Sequence, residues 1–84
     1  MAAPRITFTR HAEEMLIERN IQRAWVQSTV LDPESVEDDP RKSNLRRAYR
    51  RVPQRGGLWL RVVYERVGES IKIITVFFDR GRRH

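Results

Sequence analysis

Apolar residues recur with two different periods along this chain. Ile6 and Phe8 alternate with polar neighbours in RITFT (5–9), which predicts a short first strand. The period then changes. Ala12, Met15, Leu16 and Arg19 follow the spacing i, i+3, i+4, i+7, which predicts a helix from Arg10 to about Arg19 with a narrow buried stripe. Thr9 stands where an N-cap is needed, and Glu13 and Glu14 suit the positive end of the helix dipole. Asn20 tolerates the left-handed conformation that ends a helix. A second helix, about Gln22 to Leu31, carries Ile21, Ala24, Trp25 and Ser28 on one side with Val26 and Val30 beside it, and Asp32–Pro33 stops it. The two helices are expected to form a hairpin.

Beyond residue 33 the period is again that of strands. ESVEDD reads as a short edge strand, PRKSN as a polar loop, and LRRAYRRV as a strand near an edge with arginines on both faces. PQRGG is a turn. LWLRVVYE and SIKIITVFF are rich in branched and aromatic residues and are joined by a turn at RVGE, so they predict a hairpin. Pairing Glu65 with Ser70 places Leu58, Leu60, Val62 and Tyr64 on one face with Ile71, Ile73, Thr75 and Phe77, an apolar surface ready to receive the helices. The opposite face then holds Trp59, Arg61, Val63 and Glu65 with Lys72, Ile74, Val76 and Phe78. That is too apolar for a plain solvent face, so it is either covered or a binding surface. The expected architecture is α+β: two N-terminal helices on one face of a three- to four-stranded antiparallel sheet. It forms one domain over 1–84, with an ordered core at about 5–79 and a mobile basic tail at 80–84.

Composition narrows the function classes. A chain of 84 residues has a modest core. It has no cysteine, which excludes disulfides, thiolate metal ligands and a cysteine nucleophile, and fits a reducing cytoplasm. No secretory leader and no apolar run of membrane-spanning length is seen, so a cytoplasmic location without a membrane partner is expected. Charge is unevenly spread. Residues 1–40 hold four arginines against eight acids, a net of −4; residues 41–84 hold thirteen basic residues against three acids, a net of +10. Such polarity suggests an anionic partner for the second half, either nucleic acid or an acidic protein. Arginine outnumbers lysine fifteen to two, which suits bidentate phosphate contacts but also follows from a GC-rich genome.

No glycine-rich phosphate loop and no histidine cluster for zinc is present, and no cofactor is expected. His84 is terminal. Candidate chemistry therefore narrows to His11 and the arginines. On an ideal helix His11 and Arg19 lie about 80° apart around the axis and about 12 Å apart along it, so they can edge one groove without touching. One reading makes His11 a proton shuttle on a phosphodiester, with Arg19, Arg51 and Arg61 holding phosphate. The other has His11 covering the sheet edge with a hydrogen bond to a backbone carbonyl, and Arg19 tied to Glu18 or an acidic strand residue. In RRAYRRV, Arg47, Tyr49 and Arg51 share a face, and Tyr49 between arginines can stack a base or donate a proton, with Trp59 and Arg61 alongside. The competing reading is an exposed edge strand guarded by charge. Trp25 and Tyr64 are expected in the core.

FTRHAEEMLIERNI, the later VLDPE and the terminal IKIITVF together resemble the small bacterial domains of domain-of-unknown-function family 4258. The motif positions are His11, Ala12, Met15, Leu16, Arg19, Ile21, Pro33 and Thr75, spread over most of the chain. Asn20 replaces the family's usual glycine, and Met15 stands where an arginine is common. Such domains look distantly related to RelE/ParE-type toxins and barnase-like ribonucleases. The resemblance implies a RelE-like fold and a toxin or metal-independent ribonuclease acting on RNA. Catalysis would fall to His11, Arg19, Tyr49 and Arg51, and RNA contacts to Arg47, Trp59 and Arg61. An acidic antitoxin is the protein partner this would imply. The alternative is a non-catalytic module that binds an acidic protein or itself through the Trp59, Val63, Val76 and Phe78 patch.

Overall fold

The computed structural model describes residues 3–82. In chain order the elements are β1 (Arg5–Phe8), α1 (Arg10–Glu18), α2 (Arg23–Leu31), β2 (Ser35–Asp38), β3 (Arg46–Val52), a short 3-10 turn (Pro53–Arg55), β4 (Leu58–Val67) and β5 (Ser70–Asp79). The class is α+β, with both helices packed on one face of the sheet. The helices form where the caps and apolar spacing place them. Thr9 is the N-cap of α1, its side chain accepting a hydrogen bond from the Ala12 amide, and Asn20 takes φ 53° just beyond the helix. Among the described residues no helix is long and apolar enough to cross a membrane.

The sheet is larger than its sequence pattern suggests and is mixed rather than antiparallel. It has five strands in the order β1-β5-β4-β3-β2, and β1 pairs parallel to β5. Alternation over four residues marks β1 as a strand, but it carries no information about which edge that strand joins or in which direction. β2, β3, β4 and β5 form an antiparallel meander. β2 is an edge strand, as expected. The arginine-rich β3 is interior, with Ala48, Tyr49 and Val52 buried, so it is not an exposed edge guarded by charge.

The β4–β5 register also differs from expectation. Val67 pairs with Ser70 and Glu65 with Lys72, because the turn is a tight two-residue loop opened by Gly68 at φ 60°. Ile73 then faces Tyr64 while Thr75 faces Val63, so Ile74 is an extra residue on β5. This bulge reverses the strand's phase. Ile71 and Ile73 point to the helices before it, and Val76 and Phe78 do so after it, while Thr75 and Phe77 join the other face.

The main core lies between helices and sheet. It gathers Ala12, Leu16, Ile21, Val26 and Val30 with Ala48, Val52, Leu60, Val62, Tyr64, Ile71, Ile73 and Val76. Trp25 packs at its margin, edge-to-face with Phe78 at 6.5 Å. The buried side of α2 is Val26, Thr29 and Val30, whereas Ala24 and Ser28 are exposed. The stripe drawn through Ala24 and Ser28 is thus rotated, because α2 seats itself against β3 and β4 through its more apolar residues. Thr29 is tolerated in the core because its hydroxyl donates to the Trp25 carbonyl at 2.7 Å.

Candidate functional site

The bulge in β5 builds the surroundings of His11. Where β1 ends, Thr9 takes both neighbouring carbonyls of β5: its amide donates to Ile73 at 3.0 Å and its hydroxyl to Ile74 at 3.1 Å. The same hydroxyl caps α1. One residue therefore fixes the start of the helix against the strand. His11, two positions on, is thereby set beside Thr75, and its Nε2 and the Thr75 hydroxyl are hydrogen-bonded at 3.1 Å, with either group able to supply the proton. The ring is solvent-exposed. Two residues separated by 64 positions meet at the point where β1 leaves the sheet.

Arg19 does not join them. It sits at the far end of α1, exposed, and its Nε donates to Met15 Sδ at 3.4 Å. The other candidates lie elsewhere again. Alternation places Arg47, Tyr49 and Arg51 of β3 on the face away from the helices, with Trp59 and Arg61 of β4. β4 intervenes between β3 and β5, so Tyr49 is separated from Thr75, the partner of His11, by about two strand spacings, roughly 10 Å.

That second face is sealed, not open. Tyr49 is 1% exposed and Trp59 9%. The guanidinium of Arg61 lies over Phe77 at 4.7 Å and over Tyr49 at 5.5 Å, and its Nη2 donates to Asp79 at 2.6 Å. Arg61 Nε has no hydrogen-bond partner among the described residues and is left among these rings. Arg51 grips Glu34 through Nε and Nη2, and its amide donates to the same carboxylate at 2.7 Å. Glu34 thereby extends the β2 edge with a side chain in place of a strand. Arg47 pairs with Asp39. The expected patch of Trp59, Val63, Val76 and Phe78 does not exist: Val76 and Phe78 face the helices, and Val63 and Trp59 are buried.

Ion pairs offset part of the charge polarity of the sequence. β2 and its flanks carry several acids of the first half, and antiparallel pairing lays them against arginines of β3, Asp38 with Arg46, Asp39 with Arg47 and Glu34 with Arg51, while Glu37 pairs with Arg82 beyond β5. The side-chain hydrogen bond from Arg51 brings the Glu34 carboxyl down to about 2, and the hydrogen bond from Arg61 holds Asp79 below the usual carboxylate range.

Two further residues bear on the site. Thr75 is visible in the sequence as the polar interruption of an apolar strand. Arg82, expected in a mobile tail, packs on Tyr49 with its Cζ 3.7 Å from the ring centroid, and nothing local in the sequence announces this. His84 lies outside the described residues. A cleft of about 210 Å³ between α2 and β3, lined by Trp25, Thr29, Arg50 and Val52 among others, does not include His11. Among the described residues no three His, Cys, Asp or Glu side chains cluster as metal ligands would.

Comparison with curated proteins and with solved structures gives no match. A family model does match, over residues 8–78, and this range takes in both His11 and Thr75. The chain therefore belongs to the family described as Domain of unknown function (DUF4258).

Proposed function

We infer that this domain acts on RNA as a metal-independent endoribonuclease of the RelE-like toxin kind, with His11 as the group that moves the proton. One observation carries the reading: an exposed imidazole held at 3.1 Å by the Thr75 hydroxyl, at the start of a helix. A helix N-terminus favours a phosphate, and Thr75 limits the orientations of the ring. Neutral His11 accepts the proton of a ribose 2′-hydroxyl. The 2′-oxygen attacks the adjacent phosphorus, the bond to the 5′-oxygen breaks, and the imidazolium returns its proton to that leaving oxygen. The products are a 2′,3′-cyclic phosphate and a 5′-hydroxyl, and no metal is needed in this scheme.

Tyr49, Arg51, Arg47, Arg61 and Trp59 reach RNA only if the sealed face opens. Arg51, Arg61 and Arg47 would have to leave Glu34, Asp79 and Asp39, and Tyr49 would have to be uncovered. Arg10, whose side chain is 95% exposed beside His11, is the better placed phosphate contact, with Arg19 further along the helix.

The test is cleavage of labelled RNA in EDTA, alone and with translating ribosomes. His11→Ala is expected to lose about 100-fold or more, and Thr75→Val about tenfold. Wild-type protein inactive in both settings, or His11→Ala as active as wild type, would sink the proposal.

A further inference from the structure

The face away from the helices contains a formed site with an occupant already in it. One cross-strand row runs Ser35, Tyr49, Arg61, Phe77 over β2, β3, β4 and β5. The guanidinium of Arg82 lies on this row. Its Cζ is 3.7 Å from the Tyr49 ring centroid and 5.2 Å from that of Trp59. Its Nη2 donates to Ser35 Oγ at 2.8 Å and its Nη1 to Glu37 Oε2 at 3.3 Å. An aromatic ring thus meets the flat side of the cation, while a hydroxyl and a carboxylate meet its edges. This is the donor and acceptor set that a planar guanidinium requires.

Host and occupant differ in how they are held. Ser35, Glu37, Tyr49 and Trp59 are all on strands of the sheet. Arg82 lies beyond β5, after a turn in which Gly81 donates to Asp79. It also lies beyond the range of the family match. Beside it is a cleft of about 360 Å³, lined by Gly56, Gly57, Trp59, Asp79, Arg80 and Arg82. A Cβ at Gly57 would meet nothing within 4 Å, so an incoming backbone has room to lie there.

We propose that Tyr49, Trp59, Glu37 and Ser35 form a binding site for the arginine side chain of a partner peptide, which the chain's own Arg82 occupies until displaced. Glu37 meets the edge of the guanidinium directly, while Asp79 is engaged by Arg61, and Arg51 and Arg61 lie over the Trp59 and Tyr49 rings, so the ligand class is set by the Glu37 carboxylate together with the ring contact and the Ser35 hydroxyl. A lysine has the charge but not the plane or the fork of donors. This site is separate from His11 and does not depend on the RNA reading.

The test titrates a short capped Gly-Arg-Gly peptide, its lysine counterpart and a uridine oligonucleotide into the full chain carrying Arg82→Ala or Arg82→Lys. The indole N–H signal of Trp59 is followed by NMR, with that of Trp25 as the internal control. Saturable movement of Trp59 alone by the arginine peptide is expected in at least one variant whose spectrum shows it folded. Binding should be about tenfold weaker for the lysine peptide, about tenfold weaker in wild type, and lost on adding Glu37→Gln. No saturable shift up to about 10 mM in either folded variant would overturn the proposal. So would equal binding of the lysine peptide, a response to the oligonucleotide in place of the arginine peptide, or a wild-type dimer that Arg82→Ala abolishes. The dimer would instead indicate tail exchange between copies.

Discussion

The two faces of the sheet are sealed by different physics. Leu60 and Arg61 are neighbours on β4 and point to opposite sides. On the helix side, Leu60 is fully buried among aliphatic side chains, and burial of apolar area supplies the stabilisation. On the other side no helix arrives. Buried Tyr49 and Trp59 are covered by guanidinium groups, whose carbons lie over the rings while their nitrogens bind carboxylates. Arginine suits this task because its long stem and weakly hydrated head can cover a ring at less desolvation cost than an ammonium. The helix side needs matching shapes, whereas the arginine side needs matching charges. The second should therefore respond to pH and salt, and the first should not.

That contrast can be broken by experiment. Leu60→Ala is expected to have the largest effect, about 2–5 kcal/mol in urea unfolding, nearly independent of salt. Arg61→Ala removes the cover of Phe77 and leaves Asp79 without its hydrogen-bonded partner, and should cost about 1–3 kcal/mol, less at 1 M salt. Equal costs with no salt dependence in either would erase the distinction between the faces. Thr9→Ala should cost about 1 kcal/mol through loss of the α1 cap. It should also lower any RNA cleavage, because Thr9 ties the start of the His11 helix to β5.

The smallest expected effect is that of Glu34→Gln, at or below about 1 kcal/mol because the Arg51–Glu34 pair is partly exposed. Its pH dependence is the more informative readout. The folded Glu34 carboxyl titrates at about 2, below its ordinary 4.5, so its contribution is present above about 4.5 and is lost as pH falls toward about 2. Wild type and variant should differ near neutral pH and converge in acid. A constant difference across that window would contradict the pairing.

Much of the fold can be read from the sequence because it is encoded locally. Thr9, Asn20 and Asp32–Pro33 mark helix ends by backbone chemistry that acts within a few residues. The alternation in β3 correctly put Arg47, Tyr49 and Arg51 on one face. Trp25 and Tyr64 are placed at or in the core by their size and setting. The β5 phase was not readable, because the extra residue at Ile74 inverts the alternation partway along the strand, and a period-two pattern carries no mark of where such a bulge falls. Nor was the neutralisation of the arginines. It needs Glu34, Glu37, Asp38 and Asp39 to be brought beside β3, and counting charges along the chain cannot show that.

By itself, then, the sequence determined the helices, the strands and the kind of chemistry available: one internal histidine, abundant arginine and no cysteine. These depend on residue type and short-range periodicity. The tertiary structure alone decided which residues meet. Parallel docking of β1 set His11 against Thr75, and strand order separated them from Tyr49 and Arg51. It also laid Arg82 on Tyr49, so that a stretch of chain resembling a loose basic end closes an aromatic face. Such contacts join residues far apart in the chain, and their partners are selected by packing and charge only after the sheet has formed.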